Sequence, residues 1–115
     1  MFGSIEKKIE KINALAEKKK TDQVIKFATG KDVALRAAAA KALGTITADE
    51  SYNQLVLLTR DPEVAVRKAA VLGLGEIGRK AGADHVRHVM INETDADLIK
   101  TCQTAISKII NGDAR

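Results

Sequence analysis

The chain has 115 residues, 45% of them apolar but only 3% aromatic, with a single Pro and no Trp. A lone cysteine excludes an internal disulfide, no run of 18 apolar residues offers a membrane span, and a core short of aromatics must come from Ala, Val, Ile and Leu in closely packed helices. The net charge of +4 is concentrated early: residues 1–41 hold ten Lys/Arg against five Asp/Glu, whereas 42–115 hold nine against ten.

In chain order, the first predicted helix covers 4–18, with Ile5, Ile9, Ile12 and Leu15 inward. It runs into Lys18-Lys19-Lys20, where lysines complement the negative end of the helix dipole. Its opening, MFGSIEKKIEKI, has no signal-peptide apolar run, so a reducing cytoplasm is the expected location. A short helix through Val24, Phe27 and Ala28 precedes a longer one in KDVALRAAAAKALGTI, residues 31–46. The pattern recurs with Leu55, Leu58 and Thr59 before PEVAVRKAAVLGLGEI (62–77), then with Val86, Val89 and Met90 before TDADLIKTCQTAISKI (94–109). Asp61-Pro62-Glu63 reads as N-cap, first-turn proline and first-turn acid. Thr47-x-x-Glu50 has capping-box spacing, and Thr94-x-x-Asp97 is a weaker version of it.

The three long segments superpose at shifts of 31 and 32 residues. Leu35, Val66 and Leu98 then align, as do Ala39, Ala70 and Cys102; Ala42, Gly73 and Ala105; Leu43, Leu74 and Ile106; and Ile46, Ile77 and Ile109. Within one copy these are i, i+4, i+7, i+8 and i+11, the apolar stripe of a helix, with small residues where a neighbour can approach. The same shift places Ile12 under Leu43 and Leu15 under Ile46, so the first helix is the second half of a truncated leading repeat. The expected fold is all-α: a short right-handed α-solenoid of about three and a half stacked antiparallel helix pairs. Residues 1–20 form a capping helix, 21–47, 48–80 and 81–111 the repeats, and 112–115 a tail.

DPEVAVRKAAVLGLGEIG resembles the second helix of a HEAT repeat, of the short bacterial and archaeal kind first noted in phycobilisome lyases, through Asp61, Val64, Arg67, Ala70, Leu74, Gly75, Ile77 and Gly78. The third copy departs from the family habit with Ile99 in place of Arg. The resemblance covers roughly residues 21–110 and implies a scaffold whose second helices line the binding surface.

Gly73, Gly75 and Gly78 also spell G-x-G-x-x-G, the spacing of a dinucleotide-binding loop. That loop needs a strand before it and a helix start after it, whereas here the glycines close a helix, whose negative end repels phosphate. The other copies hold Ala42, Gly44 and Thr47, or Ala105, Ser107 and Ile110, so close packing followed by a positive-φ stop at Gly78 explains them, and Gly73→Ala is expected to leave a folded protein. His85 and His88 share a helix face but have only Asp84 nearby, too few ligands for zinc. Cys102 takes a core position rather than a nucleophile's. Arg36 and Arg67 share a repeat position, and each is expected to tie down its own inter-helix turn, through Asp32 and Asp61.

No catalytic constellation, cofactor motif or metal set emerges, so a non-catalytic protein–protein scaffold is expected. The candidate partner-binding ridge, opposite the apolar stripe, holds Ala37 and Lys41, then Lys68, Leu72 and Glu76, then Lys100, Thr104 and Lys108, and extends to Glu6 and Glu10. Its lysines suit an acidic protein partner. The basic N-terminal third offers a nucleic-acid-binding alternative, and the family resemblance an accessory subunit of a lyase-like or other enzyme complex. Two open ends, with Ile99 and Ile110 near the last, leave room for self-association.

Overall fold

The structure, a computed structural model, describes residues 2–112; Met1 and residues 113–115 of the expected tail lie outside the described residues. The described residues form seven helices and no strand: α1 (Phe2–Glu17), α2 (Thr21–Ala28), α3 (Val33–Leu43), α4 (Asp49–Leu58), α5 (Val64–Ile77), α6 (Ala81–Asn92) and α7 (Ala96–Asn111). The second helices stack as α1 on α3, α3 on α5 and α5 on α7, while α2, α4 and α6 pack against them from one side. The result is a two-layer slab measuring 37 × 30 × 18 Å between Cα atoms.

The aligned stripe positions are its core. Leu35, Ala39, Leu43 and Ile46 are buried in α3 and the turn after it; Val66, Ala70, Leu74 and Ile77 in α5; Leu98, Cys102, Ala105 and Ile109 in α7, where Ile106, the expected counterpart of Leu43 and Leu74, is only half-buried. Each fully buried Leu, Ile or Val contributes about 1.5–3 kcal/mol relative to exposure, so the repeat holds because its apolar register coincides with the stacking register. In α1 only Ile12 of the expected inward set is fully buried; Ile5, Ile9 and Leu15 are half-buried.

Helix ends show where local spacing misleads. The α4 N-cap is Ala48, with no side-chain cap, so the Thr47–Glu50 capping box does not form. The α5 N-cap is Glu63, also without a side-chain bond, rather than Asp61; the Asp61 carboxylate does accept the Glu63 N–H at 2.9 Å. In α7 the N-cap is Asp95, which accepts from the Leu98 N–H at 2.9 Å, in place of the expected Thr94. Asp32 does the same for the Leu35 N–H. α1 starts two residues earlier than expected and ends one earlier, closed by a bond from the Lys20 N–H to the Leu15 carbonyl, with Lys19 at φ +58°.

The glycines behave as a stop and a packing surface. Gly78 is the left-handed C-cap of α5 at φ +78°, and Gly73 and Gly75 lie inside that helix, so these three glycines form a helix end and not a phosphate loop. α3 and α5 touch at Gly44 and Gly73: a Cβ on Gly44 would stand 2.8 Å from the Gly73 Cα. A Cβ on Gly73 would meet both Leu55 methyls at 3.0 Å, whereas one on Gly75 would only reach ordinary contact with Ala105 at 3.4 Å.

Candidate partner-binding surface

Arg36 and Arg67 form a ladder between repeats, and the expectation that each pairs with an Asp in its own turn is corrected. Arg36 makes two bonds to Asp61 of the following pair, at 2.9 and 3.2 Å, and donates to the Gly30 and Lys31 carbonyls of its own turn. Arg67 repeats the arrangement with Glu93 at 3.0 and 3.1 Å and with the carbonyls of Asp61 and Pro62. Each guanidinium is long enough to satisfy its own turn and still reach the next repeat, whereas Asp32 is already engaged as a cap. The bond to Asp61 raises the Arg36 pKa above its ordinary value; the bond from Arg67 holds the Glu93 carboxyl below its ordinary 4.5. The ladder has two rungs. The arginine position is Ile5 in α1 and Ile99 in α7, and the acid position before Asp61 is Gly30.

The expected ridge lies on the second helices, but part of it is bound to itself. Lys68 pairs with Asp97 at 2.7 Å, and Lys108 pairs with Glu76, tying α5 to α7. Lys41, Leu72, Lys100 and Thr104 stay exposed, and neither Lys41 nor Lys100 has a carboxylate partner among the described residues. Glu6 and Glu10 are exposed on α1. Between α3 and α5 the ridge opens into a groove of about 760 Å³, lined by Ala37, Ala38 and Ala69 together with Gly73, and bordered by Lys41, Leu72 and Glu76. Leu72 keeps 47% of its surface exposed at this border. Ala38 and Ala69, absent from the sequence-based ridge, share one repeat position; their small size beside a charged ridge was the available signal.

The remaining would-be sites resolve separately. His85 stands edge-on to Tyr52 with ring centroids 6.3 Å apart, while exposed His88 lines a different hollow of about 460 Å³ beside Arg67 and Glu93. Among the described residues no three His, Cys, Asp or Glu side chains gather as a metal set. Arg79 lies over the Tyr52 ring at 5.0 Å and bonds Asp49. Burial pushes the Cys102 thiol up to about 11. We therefore expect Cys102 to resist alkylation in the native protein at pH 8 and to react fully in denaturant; stoichiometric native labelling measured by mass shift would contradict its placement. Ile110 is 50% exposed at the end of the stack, and Ile99 is half-buried. Ile91, at 79%, is the most exposed large apolar side chain of the described residues and had no counterpart among the expectations. No helix of the described residues is long and apolar enough to cross a membrane.

A stack of helix pairs with an open groove along one layer defines a helical-repeat protein built to present an extended surface. The family model described as HEAT repeats matches residues 8–107, and the chain belongs to the HEAT-repeat family. Members of that family commonly mediate protein–protein interactions and are typically non-catalytic. A comparison with curated proteins gives no match.

Proposed function

We propose that this protein is a non-catalytic scaffold that binds another protein on the face formed by α3, α5 and α7, acting in the reducing cytoplasm, where a lone thiol such as Cys102 is stable. The observation that carries the reading is the apolar groove between α3 and α5 with Leu72 at its border. Alanines at 37, 38 and 69 leave space for larger side chains of a partner, and covering Leu72 would contribute about 1–2 kcal/mol from apolar burial alone. Lys41 at the border and Lys100 further along the face supply unpaired positive charge, which favours a partner with acidic residues beside its apolar ones. Lys68, Glu76, Lys108 and Thr104 then act chiefly as the fixed frame of the face, since three of them are joined in ion pairs between helices.

Affinity capture from native lysate tests this with wild type and two exposed-site variants, Leu72→Glu and Lys41→Glu, each first shown to be folded by circular dichroism. At least one partner retained by wild type should be lost from the Leu72→Glu sample. Identical partner lists for all three proteins would reject the groove as the binding site.

A further inference from the structure

The geometry points to a second docking site: the seat of a first helix beside α1 accepts an acidic helix from a partner protein. In two helix pairs the first helix lies in a seat made by its own second helix and the following first helix: α2 between α3 and α4, and α4 between α5 and α6, the last through Tyr52 and His85. Two contacts define that seat. A Cβ at Gly73 of α5 would touch Leu55 of α4, so this position on a second helix faces its own first helix. His85 of α6 meets Tyr52 of α4, so this position on a first helix faces the preceding first helix.

Carried back by the repeat shift, these positions fall on Lys11 of α1 and Gln23 of α2. Between them lies a groove of about 460 Å³, lined by Lys11 and Leu15 from α1 and by Asp22, Gln23, Lys26 and Phe27 from α2. No described helix of this chain fills it. It is the seat that α4 occupies between α5 and α6, two repeats later.

The seat differs from its filled counterparts in charge. Positions occupied by buried Ala39, Ala70 and Cys102 hold exposed Lys8 in α1, and those of Ala42, Gly73 and Ala105 hold exposed Lys11. Lys26 stands on the opposite wall near Asp22, Lys8 lies outside the groove's lining, and neither Lys11 nor Lys26 has a carboxylate partner among the described residues, so the lining carries two lysines to one carboxylate. Leu15 and Phe27 remain half-buried, although Ile46 and Ile77, at the equivalent position of Leu15, are buried. An occupant must therefore be helical in width, acidic where its counterpart Leu55 is apolar, and apolar towards Leu15 and Phe27. Nucleic acid fits less well, because phosphates would engage the lysines but leave the two apolar side chains uncovered. This site is independent of the α3/α5 groove, and loss of the partner there leaves the present inference intact.

A labelled peptide of residues 48–60, the protein's own seat-filling helix carrying Leu55→Glu, serves as the probe in an anisotropy titration at low salt. We expect saturable binding to the full chain, amide shifts in the NMR spectrum gathered on α1 and α2, and at least about fivefold weaker binding to Lys11→Glu. A peptide with Leu55→Lys should recover affinity for the Lys11→Glu protein, which a structural defect would not allow. No saturation by 1 mM, equal binding to wild type and Lys11→Glu, or shifts lying elsewhere would overturn the proposal. So would a labelled DNA duplex that binds at lower concentration and displaces the peptide, which would assign the lysines to nucleic acid.

Discussion

Gly44→Ala should destabilise the protein by about 3 kcal/mol, lowering its melting temperature by roughly 10 °C, whereas Gly75→Ala should be neutral or slightly stabilising. The two glycines are repeat equivalents and look interchangeable in the sequence. In the structure a Cβ on Gly44 lands 2.8 Å from the Gly73 Cα and 3.3 Å from the Lys41 carbonyl, both backbone atoms. Relief requires moving α3 away from α5, and that separation would loosen the whole interface between the two helices. At Gly75 the nearest atom is the Ala105 Cβ at 3.4 Å, so the added methyl packs normally, and the better helix propensity of Ala offers a gain of about 0.5–1 kcal/mol.

Gly73→Ala lies between the two. Its Cβ meets the Leu55 methyls at 3.0 Å, and Leu55 is fully buried, so the protein should stay folded but lose about 1 kcal/mol as that side chain shifts. The presence of Ala at 42 and 105 is therefore an incomplete guide. Thermal melts of the three variants give the ranking, and a Gly44→Ala protein as stable as Gly75→Ala would refute the close contact.

The second large effect concerns the ladder. Arg67→Ala should cost about 3 kcal/mol, because it removes four hydrogen bonds and leaves the Glu93 carboxylate, only 7% exposed, without its partner. The same pair sets a pH dependence. Glu93 has a folded-state pKa below its ordinary 4.5, first through the hydrogen bond from Arg67, so its contribution is fully present above that value. It is lost as pH falls through the lower, folded-state value, where the carboxyl takes up a proton. Wild type should therefore lose stability on acidification below about pH 4.5, and Glu93→Gln should show a shallower slope there. Urea melts at pH 7 and pH 3 measure this; parallel slopes for the two proteins would show that the pair does not carry the effect.

What the ladder adds is register. Each arginine holds two carbonyls of its own turn and one acid of the next repeat, so it joins the ends of neighbouring pairs while the apolar stripe joins their middles. With Ile5 and Ile99 at the outer positions, the device stops where the described stack stops. The same ordering of charge runs across the face: Lys68 and Lys108 fasten α5 to α7, which leaves Lys41 and Lys100 unpaired. The proposed binding face thus presents fewer free charges than its composition suggests.

The sequence by itself determined the helices, their pairing into repeats, the buried stripe from Leu35 to Ile109 except at half-buried Ile106, and the left-handed stop at Gly78. These follow from spacings of three, four and about thirty-one residues, and a residue's own helix is enough to decide which of its faces is apolar. Only the tertiary structure decided that Arg36 reaches Asp61 and Arg67 reaches Glu93, that Gly44 cannot be exchanged as Gly75 can, and that Ala38 and Ala69 border a groove. Those outcomes depend on how far one helix pair is displaced and rotated relative to the next. A shift of an ångström or two between helices changes which acid an arginine can touch, or whether a methyl group fits, without altering the local periodicity from which the helices were read.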